Sequence, residues 1–290
     1  MRTLFRPASR PSGSLAGVLS GLLTGMIITI SSATPAEAQW GEFMGAGWAG
    51  GYHQREMMPS MREGFFGCWL AFNRVRNAGG KRGWETDYPL AVRNFMWRLG
   101  EFTTAPINTY EDGGFADGVV LATDENLFGC PFLFTSDVGG AVFSDPEVEA
   151  LRAYLLKGGF LWVDDFWGDQ SMQHWQEELS RILPGYSHIQ LDKNHPLMSS
   201  FYFFEEAPQM PSFQAWRRSG LTYESRGYGS DKPSISAIVD DRGRVMVLMT
   251  HNTDIGDGME REGVDPTYFA LFSPKAYALA VNIALYSMTQ

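Results

Sequence analysis

The chain has 290 residues, 44% of them hydrophobic and 14% aromatic, enough to bury one large core or two modest ones, which excludes disorder for most of its length. Its 23 Lys and Arg stand against 33 Asp and Glu, a formal charge of -10, which argues against sequence-independent binding to a phosphate backbone. Nucleic acid is therefore not an expected partner.

Residues 1–38 read as an export signal. Arg2, Arg6 and Arg10 make a basic start, Leu15 to Ile30 is an uncharged apolar stretch, and Ala36-Glu37-Ala38 is a small-x-small cleavage site before Gln39. The apolar stretch is interrupted by Gly17, Gly21 and Gly25 and falls short of the roughly 20 residues a helix needs to cross hydrocarbon. A cleaved leader is expected, with no stable membrane span after cleavage, and the location is the periplasm or the exterior. Loss of three Arg and one Glu would take the mature chain from -10 to -12.

Residues 39–64 are glycine-rich without a sustained apolar period, and read as a linker or draped arm. Trp40, Phe43, Trp48 and Tyr52 suit packing on the domain or a partner. From residue 65 the character changes. FFGCWLAFNRV reads as a strand, and TDYPLAVRNFMWRLG as a helix capped by Thr86 or Asp87 with Pro89 in its first turn. VVLAT at 119–123 and PFLFTS at 131–136 are short apolar strands, and Ser144-Asp145-Pro146-Glu147 is a capping box opening a helix that ends at Gly158-Gly159. FLWVDD reads as a buried strand ending in two carboxylates, followed by the helix SMQHWQEELSRIL. ISAIV and RVMVLMTH, joined by Asp240-Asp241-Arg242-Gly243, read as a hairpin, and a closing helix is expected from Ser273-Pro274 to about Met288. Strands alternating with helices predict one α/β domain over 65–290, a mostly parallel sheet with helices on both faces and a late β-hairpin.

The order of motifs resembles a known family. FFGCWLAFNRV, CPFLFTSDVGG, LRAYLLKGGFLWVDDFWGD, DKNHPLM and AVNIALYSM are similar to the domain of unknown function 4159 seen in exported bacterial proteins. That resemblance implies a class I glutamine amidotransferase-like fold, and with it a flavodoxin-like, doubly wound sheet. It brings a fold and a compartment but no reaction.

In amidotransferases the helix ending in Gly-Gly leads to a strand whose tight elbow presents a cysteine nucleophile. Here the same stretch runs from Gly158 to Asp165 without a cysteine, and no G-x-S-x-G offers a serine instead. The two cysteines, Cys68 and Cys130, fall near the amino ends of strands that would be neighbours in a flavodoxin-like order. In an oxidising compartment a disulfide is one outcome and two buried thiols the other.

The remaining chemical signal is a set of polar residues at strand ends. Asp137 follows PFLFTS, Asp164 and Asp165 end FLWVDD with Asp169 beyond, and His251, Asn252, Asp254 and Asp257 follow RVMVLMTH. If these strands are neighbours, the groups overhang the carboxyl edge of the sheet, where open α/β folds bind ligands. Asp164, Asp165 and His251 are the candidate catalytic residues; Asp137, Asp165, Asp169, Asn252 and Asp254 the candidate ligand contacts; and Asp164, Asp165 and Asp254 a candidate seat for magnesium, calcium or manganese. The plainer alternative is that these acids only cap helices and organise turns. His195 before Pro196 reads as a turn residue, and the Arg217, Arg218 and Arg226 cluster as solvated surface.

Two functional classes follow: an envelope binding or scaffolding module lacking the amidotransferase nucleophile, whose partner is an envelope protein or polar small ligand, and a metal-assisted hydrolase of an envelope carbohydrate or peptide. The leader makes the first testable statement. Amino-terminal sequencing of the exported protein should begin at Gln39, and full-length chain held in the membrane fraction would contradict it.

Overall fold

The apolar runs become strands buried along most of their length. A computed structural model describes residues 64–74, 83–110 and 113–290; the expected leader and all of the arm but Gly64 lie outside the described residues. In chain order the described elements begin with β1 (Gly67–Ala71), β2 (Asn73–Arg74), α1 (Leu90–Phe102), β3 (Asp117–Leu121), β4 (Phe132–Ser136) and β5 (Ala141–Val142). They continue through α2 (Asp145–Leu156), β6 (Leu161–Phe166), α3 (Gly168–Ile182), β7 (His188–Gln190) and α4 (Phe213–Ser219) to β8 (Ser234–Val239), β9 (Val245–His251), α5 (Ile255–Glu260) and α6 (Pro266–Thr289).

The protein is α/β, with a seven-stranded, mostly parallel sheet ordered β3-β1-β4-β6-β9-β8-β7. The first five strands in that order run parallel; β8 turns back against β9, and β7 against β8. Every residue of β1, β4, β6 and β9 is buried, which requires cover on both faces and explains why polar residues gather at the strand ends. Helices α1, α5 and α6 pack together, and α2 packs against α3.

Local signals act where expected. Ser144 and Glu147 form the capping box at α2, with Glu147 accepting from the Ser144 amide at 2.7 Å. The chain leaves α2 through Gly158 at φ +114°, and a side chain at Gly159 would run into the Tyr154 ring. The β8–β9 turn is organised by Asp240, whose carboxylate accepts from the Arg242 and Arg244 amides.

Three expectations need correction. Helix α1 starts at Leu90, one residue beyond Pro89, and Asp87 does not cap it: Asp87 has φ +68° and its carboxylate turns into the sheet edge. Strand β6 does not stop at its acids. Asp165, at φ +51°, forms a bulge, after which Phe166 pairs again with His251. Helix α6 begins two turns before Pro274, at Pro266, because Asp265 caps it by accepting from the Thr267 and Tyr268 amides. By length and composition α6 could cross a membrane, yet Tyr268, Phe272, Tyr277, Val281 and Ile283 are buried in the core.

Cys68 and Cys130 are joined, with 5.9 Å between their Cα atoms, at the amino edge of the sheet. The bridge closes a loop between residues 62 apart, worth about 4 kcal/mol by chain entropy. Replacing both cysteines by alanine should lower unfolding free energy by that order in denaturant titration, with β1 and β4 still paired. An unchanged midpoint would show that the bridge does not constrain the unfolded chain.

Candidate functional site at the carboxyl edge

Parallel strands place their carboxyl ends along one edge, and the loops leaving that edge carry most of the buried charge. Four non-glycine residues have positive φ among those described: Asp87, Asp137, Asp165 and Asn252. Asp137, Asp165 and Asn252 follow or interrupt the adjacent strands β4, β6 and β9, and Asp87 reaches the same edge from the turn before α1. All four are buried.

Asp164 is fully enclosed. Its carboxyl group accepts the Gly256 amide at 2.8 Å and lies 2.5 Å from Thr250 Oγ1. Thr250 in turn receives the Trp162 indole N–H and lies within donating distance of the Val163 carbonyl. Burial, with a smaller push from the Asp165 charge, raises the Asp164 carboxyl from 3.8 to about 8, against hydrogen bonds from Thr250 and the Gly256 and Asp165 amides that favour its ionised form.

Around Asp165 the charges are paired. Its Oδ1 accepts from the Trp167 indole at 2.8 Å and from Arg226 at 3.3 Å. Arg226 also pairs with Glu224 at 2.6 Å and Asp137 at 3.6 Å, with its guanidinium 5.9 Å above the Trp167 ring. Burial alone would lower the Arg226 pKa; the carboxylates of Asp165, Glu224 and Asp137 hold it above the usual arginine range. On the other side, Arg261 pairs with Glu260 and Asp257, while the Asp257 carboxylate accepts the Phe213 amide. Asp254 caps α5 by accepting the Asp257 amide at 2.7 Å.

One oxygen from each of Asp87, Asp165 and Asp254 lies within 4.8 Å of the others, and Asp87, Asp257 and Glu260 form a second such grouping. Three buried carboxylates at that spacing are the donor set a hard divalent cation takes.

The strand-end residues expected from sequence therefore divide. Asp137, Asp164, Asp165, Asp254 and Asp257 meet at this edge. His251 does not face Asp164. Successive strand residues point to opposite faces, so Thr250 takes that position, while the His251 ring packs on Phe166 at 4.8 Å with Nε2 at 3.1 Å from the Gly168 carbonyl. Burial lowers the His251 pKa. Asn252 anchors the edge: its Oδ1 accepts the Gly168 amide and its Nδ2 donates to the Gly229 and Lys232 carbonyls. Asp169 is exposed in the first turn of α3, outside both acid groupings.

Sequence reasoning missed Asp87, Glu224, Thr250 and Arg226. For Thr250 the signal was present, since strand alternation alone puts it on the Asp164 side. For Arg226, taken as solvated surface, spacing held no sign that its glycine-flanked loop folds back over the edge. His195 is the turn residue expected, accepting the Leu197 amide.

Fold and edge together define an α/β protein whose parallel sheet presents a buried, acid-rich carboxyl edge with an arginine set into it. The chain belongs to the DUF4159 family, a domain of unknown function, whose model matches residues 71–288. No curated protein matches it.

The raised Asp164 carboxyl sets a pH dependence. The folded chain keeps this proton up to about pH 8, while the unfolded chain releases it near 3.8. The stabilisation it gives is complete below about pH 4 and is lost as pH rises toward 8. Asn at this position can donate to Thr250 and accept from Gly256 without titrating. In denaturant titrations Asp164→Asn should gain on wild type between pH 5 and pH 8, and parallel curves would show Asp164 ionised throughout.

Proposed function

We propose that the chain is an exported binding module with an amidotransferase-like, flavodoxin-like fold, holding a polar ligand or an envelope protein at the carboxyl edge without turning it over. The fold reading is supported by the five parallel strands: numbered among themselves in chain order, they lie 2-1-3-4-5, the flavodoxin order. Two separate helix groups, α1–α5–α6 and α2–α3, suit a doubly wound sheet. The bridge between Cys68 and Cys130 suits an oxidising compartment, the periplasm or exterior, and leaves neither sulfur as a nucleophile.

The observation that carries the binding reading is the clustering of all four left-handed, non-glycine residues described on this one edge. Asp and Asn enter this conformation more readily than other side chains, and where the surroundings hold such conformations they cluster at active sites and ligand clamps. On that fold reading Asp165, at a strand-to-helix turn with φ +51°, would take the place of an amidotransferase's elbow cysteine, but its side chain is wholly buried and tied to Trp167 and Arg226. A group so held positions neighbours and does not attack a substrate.

The second reading, a metal-assisted hydrolase, has one observation in its favour: the Asp87, Asp165 and Asp254 grouping, which fits magnesium, calcium or manganese. The orientation of His251 toward Gly168 weighs against it, since it removes the expected base from the acids.

The test is a melting-temperature screen of the mature protein with amino acids, saccharides, short peptides and the three cations, on wild type and Asp165→Asn, alongside hydrolysis assays on the same organic compounds. The binding reading expects an organic ligand that stabilises wild type, by about 2.7 kcal/mol at a hundred times its Kd, less so the variant, and is released unchanged. Metal-dependent turnover lost in Asp165→Asn would replace it with the hydrolase.

A further inference from the structure

Residues 224–232 reach over the carboxyl edge and are held there by unusually many polar ties. Asn252 donates to the Gly229 and Lys232 carbonyls, the Asp169 amide donates to the Tyr228 carbonyl at 2.9 Å, and Ser230 Oγ donates to the Gly227 carbonyl. Gly168, at φ +79°, lies so close beneath that a Cβ there would stand 3.2 Å from both the Tyr228 carbonyl and Ser230 Oγ. The backbone under Tyr228 is thus fixed, yet its side chain is 90% exposed, the highest of any large hydrophobic side chain described. Beside it, the exposed Asp169 carboxylate sits against Gly229, where any side chain would collide with it. Asp169 makes no side-chain hydrogen bond or ion pair among the described residues.

The same loop shows, one turn inward, what this combination of groups holds. Arg226 lies over the Trp167 ring and pairs with Asp165, Asp137 and Glu224. An aromatic face beside carboxylates is the chemistry that seats a guanidinium, through the ring quadrupole and charge-assisted hydrogen bonds. At the rim an exposed aromatic ring, Tyr228, and an exposed carboxylate, Asp169, which lies against the adjoining Gly229, bring the same two kinds of group to neighbouring positions, and the chain's charge of -10 would draw a cationic partner toward them.

We propose that Tyr228 and Asp169 form a seat on the rim of the carboxyl edge for an arginine side chain of a basic polypeptide segment. This rests on the binding-module reading and names its partner class. The exposure of Tyr228 leaves its ring accessible, and the bond from the Asp169 amide to the Tyr228 carbonyl ties the two backbones together.

The experiment uses the mature protein and a fluorescently labelled nine-residue peptide alternating Arg and Gly, read by anisotropy, with a citrulline counterpart and the trisaccharide of N-acetylglucosamine as comparators. The Arg peptide should bind wild type, and the citrulline peptide should bind about tenfold more weakly. Tyr228→Ala and Asp169→Asn should each weaken Arg-peptide binding by about fivefold to tenfold with unchanged melting temperature, while Tyr228→Phe keeps it. Glu125→Gln, an exposed acid on the connection between β3 and β4, should keep it too. Absence of Arg-peptide binding, or an equal loss in Glu125→Gln, would overturn the proposal by showing no seat or only diffuse attraction. Binding of the trisaccharide through Tyr228 without the peptide would also overturn it, while leaving the binding-module reading in place.

Discussion

The structure depends on how carboxylates at the ends of fully apolar strands are kept out of water. Isolated ionised carboxylates in such positions would cost several kcal/mol each, comparable to the stability of a whole domain. This chain meets the cost in two ways. Asp164 retains its proton against Thr250 and the Gly256 amide, and Asp165, Asp137 and Glu224 share the Arg226 guanidinium.

That arrangement fixes more than charge. Arg226 can reach the acids only if the loop carrying it lies across the edge. The loop lies there because Asn252, at the end of β9, binds two of its carbonyls and also the Gly168 amide at the start of α3. Strands β6 and β9, helix α3 and the 224–232 loop are thereby coupled through one asparagine and one arginine. The amino edge is held differently, by the covalent bridge between β1 and the entry to β4. The protein is therefore stapled at one edge of the sheet and electrostatically closed at the other.

Much of the fold was legible because it rests on local rules. The continuous burial of FLWVDD, the capping box before α2 and the glycine-bearing turn between β8 and β9 each follow from patterns a few residues long. The helix start at Asp265-Pro266 was equally local but was hidden by Pro274, which looks like a first-turn proline and in fact lies inside α6. The site was legible as far as strand ends could predict it: Asp137, Asp164, Asp165 and Asp254 do converge. Asp87 was not, since Thr-Asp-Tyr-Pro before a helix reads as a cap, and only tertiary packing against Ser136 and Gly256 turns the carboxylate inward. Arg226 was not, because a long-range ion pair leaves no periodic trace in the chain.

The central claim is that Arg226 neutralises the acids of the carboxyl edge, and a double-mutant cycle in denaturant measures it directly. Arg226→Met alone should destabilise by about 3–5 kcal/mol, because it withdraws the cation from buried carboxylates. Combining it with Asp165→Asn should recover part of that loss, giving a coupling of about 1–3 kcal/mol. Free energies that simply add, within about 0.5 kcal/mol, would show that Arg226 and Asp165 do not depend on each other and would contradict the account.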